Sequence, residues 1–140
     1  MKELDPGHSY FADVYPAIEG KPPAAGTLVY VDFRKRIGEG YPGNEGSPVD
    51  GTTTQELLRI IIHRTKYVDA QESHPANSKV IRSARDSIYS LEFRAASRRG
   101  GEYLSRWQNG LWDLRKGHLD FAIEDVSTCQ TCGHILCEKH

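Results

Sequence analysis

The last dozen residues of the chain carry its most specific chemistry. Cys129, Cys132, Cys137 and His140 follow one another as C-x2-C-x4-C-x2-H. A tetrahedral zinc ion needs four nitrogen or sulfur ligands, and a CxxC turn offers two thiolates from one knuckle while a second pair closes the site. A Cys3His set has no open coordination position, so the expected role is structural. His134 is an alternative fourth ligand. All three cysteines of the protein lie in this tail, and an odd number at CxxC spacing argues for metal over disulfides.

A second group lies in the middle of the chain. Arg94 and Arg98 stand one helical turn apart, a like-charge pair that costs a few tenths of a kcal/mol unless an anion bridges it. Guanidinium groups grip phosphate through parallel N–H donors, and a helix C-terminus favours cations. Tyr67 offers a ring on which a nucleobase would stack, worth roughly 1 to 3 kcal/mol. Asn77 offers an amide that both donates and accepts at a base or ribose edge. Each also fits a plain structural role: solvated arginines at a helix end, an aromatic at the rim of a core, a turn asparagine.

The elements that must position these residues follow from periodicity. His8 to Tyr15 and Thr27 to Arg36 read as strands, the latter with Val29, Val31 and Phe33 on one face. The glycine- and proline-rich stretch IGEGYPGNEGSPVDG reads as a loop. Thr53 and Glu56 have the spacing of a capping box, which starts a helix with Leu57, Leu58, Ile61, Thr65 and Val68 as its buried stripe, ending near Ala70. A second helix carries Val80, Ala84, Ile88, Leu91 and Ala95 and stops at Gly100 and Gly101. The connection between them is short, so the helices should form an antiparallel hairpin. Leu104, Trp107, Leu111 and Trp112 suggest one further short helix.

The expected fold is α+β: N-terminal β-strands and a loop, then the helical hairpin, then a small C-terminal zinc-binding knuckle. Residues 1–101 would form the ligand-binding domain, 102–126 a connecting helix or linker, and 127–140 the zinc-binding tail. Two bare helices bury too little surface to stand alone in water, so they must pack on the strands or on other copies of the chain, and a homo-oligomer is expected.

Charge narrows the choice of partner. From Ser73 to Arg99 six basic residues (Lys79, Arg82, Arg85, Arg94, Arg98 and Arg99) face two acids, Asp86 and Glu92, in a chain whose net charge is −1. A concentrated basic element in a neutral chain suits a small phosphate-bearing ligand better than a polynucleotide. Among these residues Arg82, Arg85 and Arg99 read as peripheral. With 38% apolar and 26% charged residues among 140, the composition is that of a soluble globular protein. No apolar run approaches the roughly twenty residues of a membrane span, and the opening MKELDPGHSY lacks the pattern of a signal peptide, so a cytoplasmic protein without membrane partners is expected.

The pattern DGTTTQELLRIIIHRTKY, then the N-S at the start of the second helix, then LEFRAASRR, resembles the helical hairpin shared by phage anti-CBASS and Thoeris anti-defence proteins. The preceding FRKRIGEGYPGNEG is similar to the lead-in of phage-encoded relatives, and the likeness runs from Phe33 to Arg99. The resemblance implies a sponge for cyclic nucleotide or cyclic ADP-ribose-type messengers, acting in the host bacterial cytosol and assembled as oligomers, often hexamers. In the Thoeris anti-defence branch a late aromatic of the first helix, an asparagine opening the second and two arginines a turn apart near its end line the pocket. Tyr67, Asn77, Arg94 and Arg98 match those positions, with tyrosine where phenylalanine is expected. Arg34, Arg36 and Thr52 or Thr53 would add phosphate contacts, although they match no family position. The minimal hairpin proteins lack a cysteine tail.

No catalytic set emerges. His8, His63, His74 and His118 lie in separate segments without a nucleophile and paired base, and His63 reads as a partly buried or interface residue. The loop GEGYPGNEG has neither the Walker nor the dinucleotide order of residues. The expectation is therefore a non-enzymatic messenger-binding protein with structural Zn2+. The alternative is a small zinc-containing nucleic-acid-binding or adaptor protein.

Overall fold

The computed structural model describes residues 1–36, 47–99 and 122–135, with the Arg99 side chain excepted. The glycine-rich loop, the segment holding Leu104, Trp107, Leu111 and Trp112, and the residues Gly100, Gly101, His118, Cys137 and His140 lie outside the described residues. The fold is α+β, and the chain divides into two compact units, Met1–Thr54 and Gln55–His140.

The first unit is an antiparallel meander of β1 (Lys2–Asp5), β2 (Ser9–Ala12) and β3 (Val29–Asp32), in that spatial order. The strand β1 is absent from the sequence-based expectation because KELD is polar and lacks alternation. It forms by pairing Lys2 with Phe11 and Glu3 with Tyr10, with a bulge before Asp5 meets Ser9. A tight turn joins it to β2: the His8 N–H donates to the Asp5 carbonyl at 2.9 Å, and Gly7 adopts φ 72°. In the other pairing Tyr10 faces Val31 and Phe11 faces Tyr30. The Phe11 and Tyr30 rings lie 4.2 Å apart, and Tyr10 meets Phe33 edge-on at 5.9 Å.

Beyond β3 the backbone pairs again, Phe33 with Thr52 and Lys35 with Val49. Gly51 is required there by close approach, since a Cβ would stand 2.5 Å from the Asp32 carbonyl oxygen and 2.7 Å from the Arg34 nitrogen. Lys35 Nζ reaches Asp5 Oδ2 at 3.2 Å, tying the strand extension back to β1.

The second unit is the helical hairpin. α1 (Thr54–Gln71) begins one residue after Thr53, and α2 (Pro75–Arg99) follows a three-residue turn. Pro75 opens α2, a position where its missing N–H costs nothing. The turn is laced by one carboxylate: Asp69 Oδ1 accepts from the His74 N–H at 3.1 Å and from Asn77 Nδ2 at 2.9 Å. These bonds, the Asn77 side chain first, hold the Asp69 carboxyl below its usual range. His74 Nδ1 accepts from the Ala76 N–H at 3.1 Å, so the imidazole caps α2.

The core joins Ile62, Ala84, Ile88, Tyr89 and Ala96 to Ile123 and Ile135 of the C-terminal segment, with Leu58, Ile81 and Val126 at its edge. The α1 stripe thus turns from its expected phase. Ile62 is fully buried while Ile61 is 46% exposed, because Ile62 shares its face with Gln55 and Arg59, which are also buried. On α2 the expected Ala84 and Ile88 are buried, Leu91 and Ala95 are half-buried, and Val80 is exposed. His63 is exposed in the single chain, not partly buried. No helix among the described residues is long and apolar enough to cross a membrane.

Candidate functional site

The hairpin separates the expected ligand residues into two groups. Tyr67 is 60% exposed at the turn end of α1, with the Arg64 guanidinium 5.6 Å from its ring centre, a geometry for cation–π attraction. Asn77 lies at the same end of the hairpin, but its amide donates to Asp69 and its N–H to the His74 carbonyl, so it shapes the turn. Arg94 and Arg98 are exposed near the far end of α2. At 1.5 Å per residue, Asn77 and Arg94 stand about 26 Å apart along the axis. One chain therefore does not bring all four residues to one ligand.

Arg34 and Arg36 belong to the strand unit, where both are half-buried and engaged in interactions of their own. The Arg34 N–H donates to the Thr52 carbonyl and the Thr52 N–H to the Asp32 carbonyl. Thr52 thus serves the backbone pairing around Gly51.

The cysteine turn is well defined. The Gly133 N–H donates to the Cys129 carbonyl at 2.8 Å and the Cys129 N–H to the His134 carbonyl at 3.0 Å, while Gly133 takes φ 73°. This reverses the chain directly after Cys132, so Cys129 and Cys132 flank one tight turn. Cys129 is half-buried and Cys132 is buried. Half of the expected Cys129, Cys132, Cys137 and His140 set is therefore described. Among the described residues no three His, Cys, Asp or Glu side chains gather as metal ligands. The His134 ring is engaged with Glu92, its Nδ1 lying 3.3 Å from Glu92 Oε1.

Glu92 anchors the cysteine turn to the hairpin. It is 1% exposed, midway between Ile88 and Ala96 on the core face of α2. Its Oε1 accepts from Gln55 Nε2 of α1 at 3.2 Å and its Oε2 from the Ile135 N–H at 3.3 Å. One carboxylate thus ties together α1, α2 and the residues after the cysteine turn.

A second buried carboxylate sits in the short 3-10 turn Ile123–Asp125. The Glu124 side chain is fully buried, and Arg85 meets it with a side-on fork: Nε at 2.9 and 3.1 Å from its two oxygens, Nη2 at 2.6 Å from Oε1. Lys66 Nζ of α1 adds a contact at 2.8 Å. Burial alone would push the Glu124 carboxyl up, but the hydrogen bonds from Arg85 and Lys66 outweigh it and hold it at about 2. The same bonds push the Arg85 guanidinium up, with Glu124 as the main cause. Arg85, set aside as a ligand residue from sequence, is thus central to the packing of the unit.

Gln55, Arg59, Lys66, Glu92 and Glu124 are the residues that sequence reasoning passed over. The available signal was phase: Glu92 is four residues from Ile88 and four from Ala96, an acid placed in the apolar stripe. Comparison with known proteins returns no match, whether to a protein-family model, a curated protein or a solved structure.

Proposed function

We propose that this protein is a non-catalytic receptor that sequesters a cyclic nucleotide or cyclic ADP-ribose-type messenger. The observation that carries this reading is the exposure of an aromatic ring at one end of the hairpin and of two arginines a turn apart at the other. Those side chains are not consumed by the core, which is built from Ile62, Ala84, Ile88 and the C-terminal isoleucines. Tyr67 would stack on a base, Arg94 and Arg98 would hold phosphates, and Asn77 would order the turn beside the ring.

Because the two groups stand about 26 Å apart on one α2, a complete pocket requires a neighbouring copy running antiparallel to the first. A homo-oligomer is therefore part of the proposal. So is a structural Zn2+ held by Cys129, Cys132, Cys137 and His140. Isothermal titration against a panel of cyclic dinucleotides, cyclic trinucleotides and cyclic ADP-ribose isomers tests the reading. Nanomolar to micromolar binding that Y67A and the R94A/R98A pair each weaken is expected, and failure of every ligand to bind refutes it.

The tight, glycine-closed cysteine turn favours a second reading, a small zinc-containing nucleic-acid-binding or adaptor protein. Binding to a polynucleotide would fall steeply with salt, whereas capture of one ligand in a desolvated pocket falls only modestly.

A further inference from the structure

We infer that the Nε/Nη2 edge of Arg59 is a binding site for a small oxyanion, a phosphate or a carboxylate. The Arg59 side chain is 8% exposed, so its guanidinium is nine-tenths buried on the face of α1 that also carries Gln55 and Ile62. Its Nη1 donates to Glu56 Oε2 at 3.3 Å. Nε and Nη2 are buried without a hydrogen-bond partner among the described residues.

Those two donors form the side-on fork of a guanidinium, parallel N–H groups spaced to meet two oxygens of one anion. Arg85 shows what the fork takes in this hairpin, since its own Nε and Nη2 grip both oxygens of Glu124. Among the described residues of the unit the buried carboxylates are already committed: Glu124 to Arg85 and Lys66, Glu92 to Gln55 and the Ile135 N–H. Glu56 occupies the opposite edge of Arg59 and is half exposed, which weakens its field by solvent screening. A charged fork left bare in a buried position is costly, and an oxyanion satisfies both donors at once. The site is independent of the messenger-binding proposal, for it uses none of Tyr67, Asn77, Arg94 or Arg98.

The test is a titration of the full-length, 15N-labelled protein with inorganic phosphate and, in a parallel arm, with acetate, following the arginine Nε–H resonances. The Arg59 signal is identified by its loss in R59K, which keeps the charge but not the fork. A saturable shift of that signal with either anion is the expected result, and the arm that produces it identifies phosphate or carboxylate as the preferred chemistry. The stabilisation of the protein by that anion should weaken roughly ten-fold in apparent affinity in R59K, and should tighten in E56Q. If the Arg59 signal moves with neither anion in the wild-type protein, the inference is overturned without recourse to any variant. It is equally overturned if anion stabilisation is unchanged in R59K.

Discussion

Replacing Arg85 by methionine should destabilise the helical unit and alter its response to acid. Three hydrogen bonds to a fully buried carboxylate disappear in R85M, leaving Glu124 with Lys66 at 2.8 Å. Breaking a buried pair by removing one partner costs about 3–5 kcal/mol, and the retained ammonium reduces this to about 2–3 kcal/mol. The pH dependence follows from the lowered carboxyl of Glu124. Holding that group at about 2 against 4.5 corresponds to about 3 kcal/mol at full strength, and to about 2 kcal/mol after allowance for solvent around the cations. The contribution is fully present above pH 4.5 and is lost as the pH falls toward 2, because the unfolded chain takes up the proton first. Urea denaturation of the wild-type, R85M, E124Q and doubly substituted proteins, at neutral pH and through the acid range, measures both quantities. R85M should be weakened at neutral pH and show a shallower acid loss, and E124Q should recover part of the deficit when added to it. If R85M unfolds with the wild-type midpoint and acid slope, the assigned network does not stabilise the unit.

Two further outcomes follow from backbone and carboxylate geometry. G51A should cost about 1–3 kcal/mol, since its methyl group meets backbone atoms that cannot rotate away, and should speed amide exchange at Arg34 and Thr52; unchanged exchange there would contradict the close approach. E92A should remove the acceptor shared by Gln55 and the Ile135 N–H, at a cost of about 1–3 kcal/mol, and raise amide exchange at Ile135. Chelator treatment should raise exchange at Cys129 and Gly133 if zinc holds the turn, with released metal measured in parallel by a colorimetric reagent.

Much of the architecture was legible in local patterns. Apolar spacing located both helices, and the short QESHPAN stretch placed the reversal between them. The polar strand β1 was not legible, because KELD becomes a strand only through the hydrogen bonds of β2. The α1 stripe was read one position out of phase at Ile61, since apolarity alone gives no weight to the buried Gln55 and Arg59 that define the core face. For the candidate ligand residues, spacing supplied the types but not their separation. Asn77 and Arg94 are near each other only if two copies meet.

By itself the sequence determined the succession of the two helices, the short reversal between them and the placing of Cys129 and Cys132 on one turn, all of which depend on residues close in the chain. Tertiary structure decided which polar groups are buried. Glu92 meets Ile135 across 43 positions and Arg85 meets Glu124 across 39, and neither carboxylate would tolerate burial without those distant donors. Periodicity marks where a side chain points, but the return of the chain supplies what it meets there.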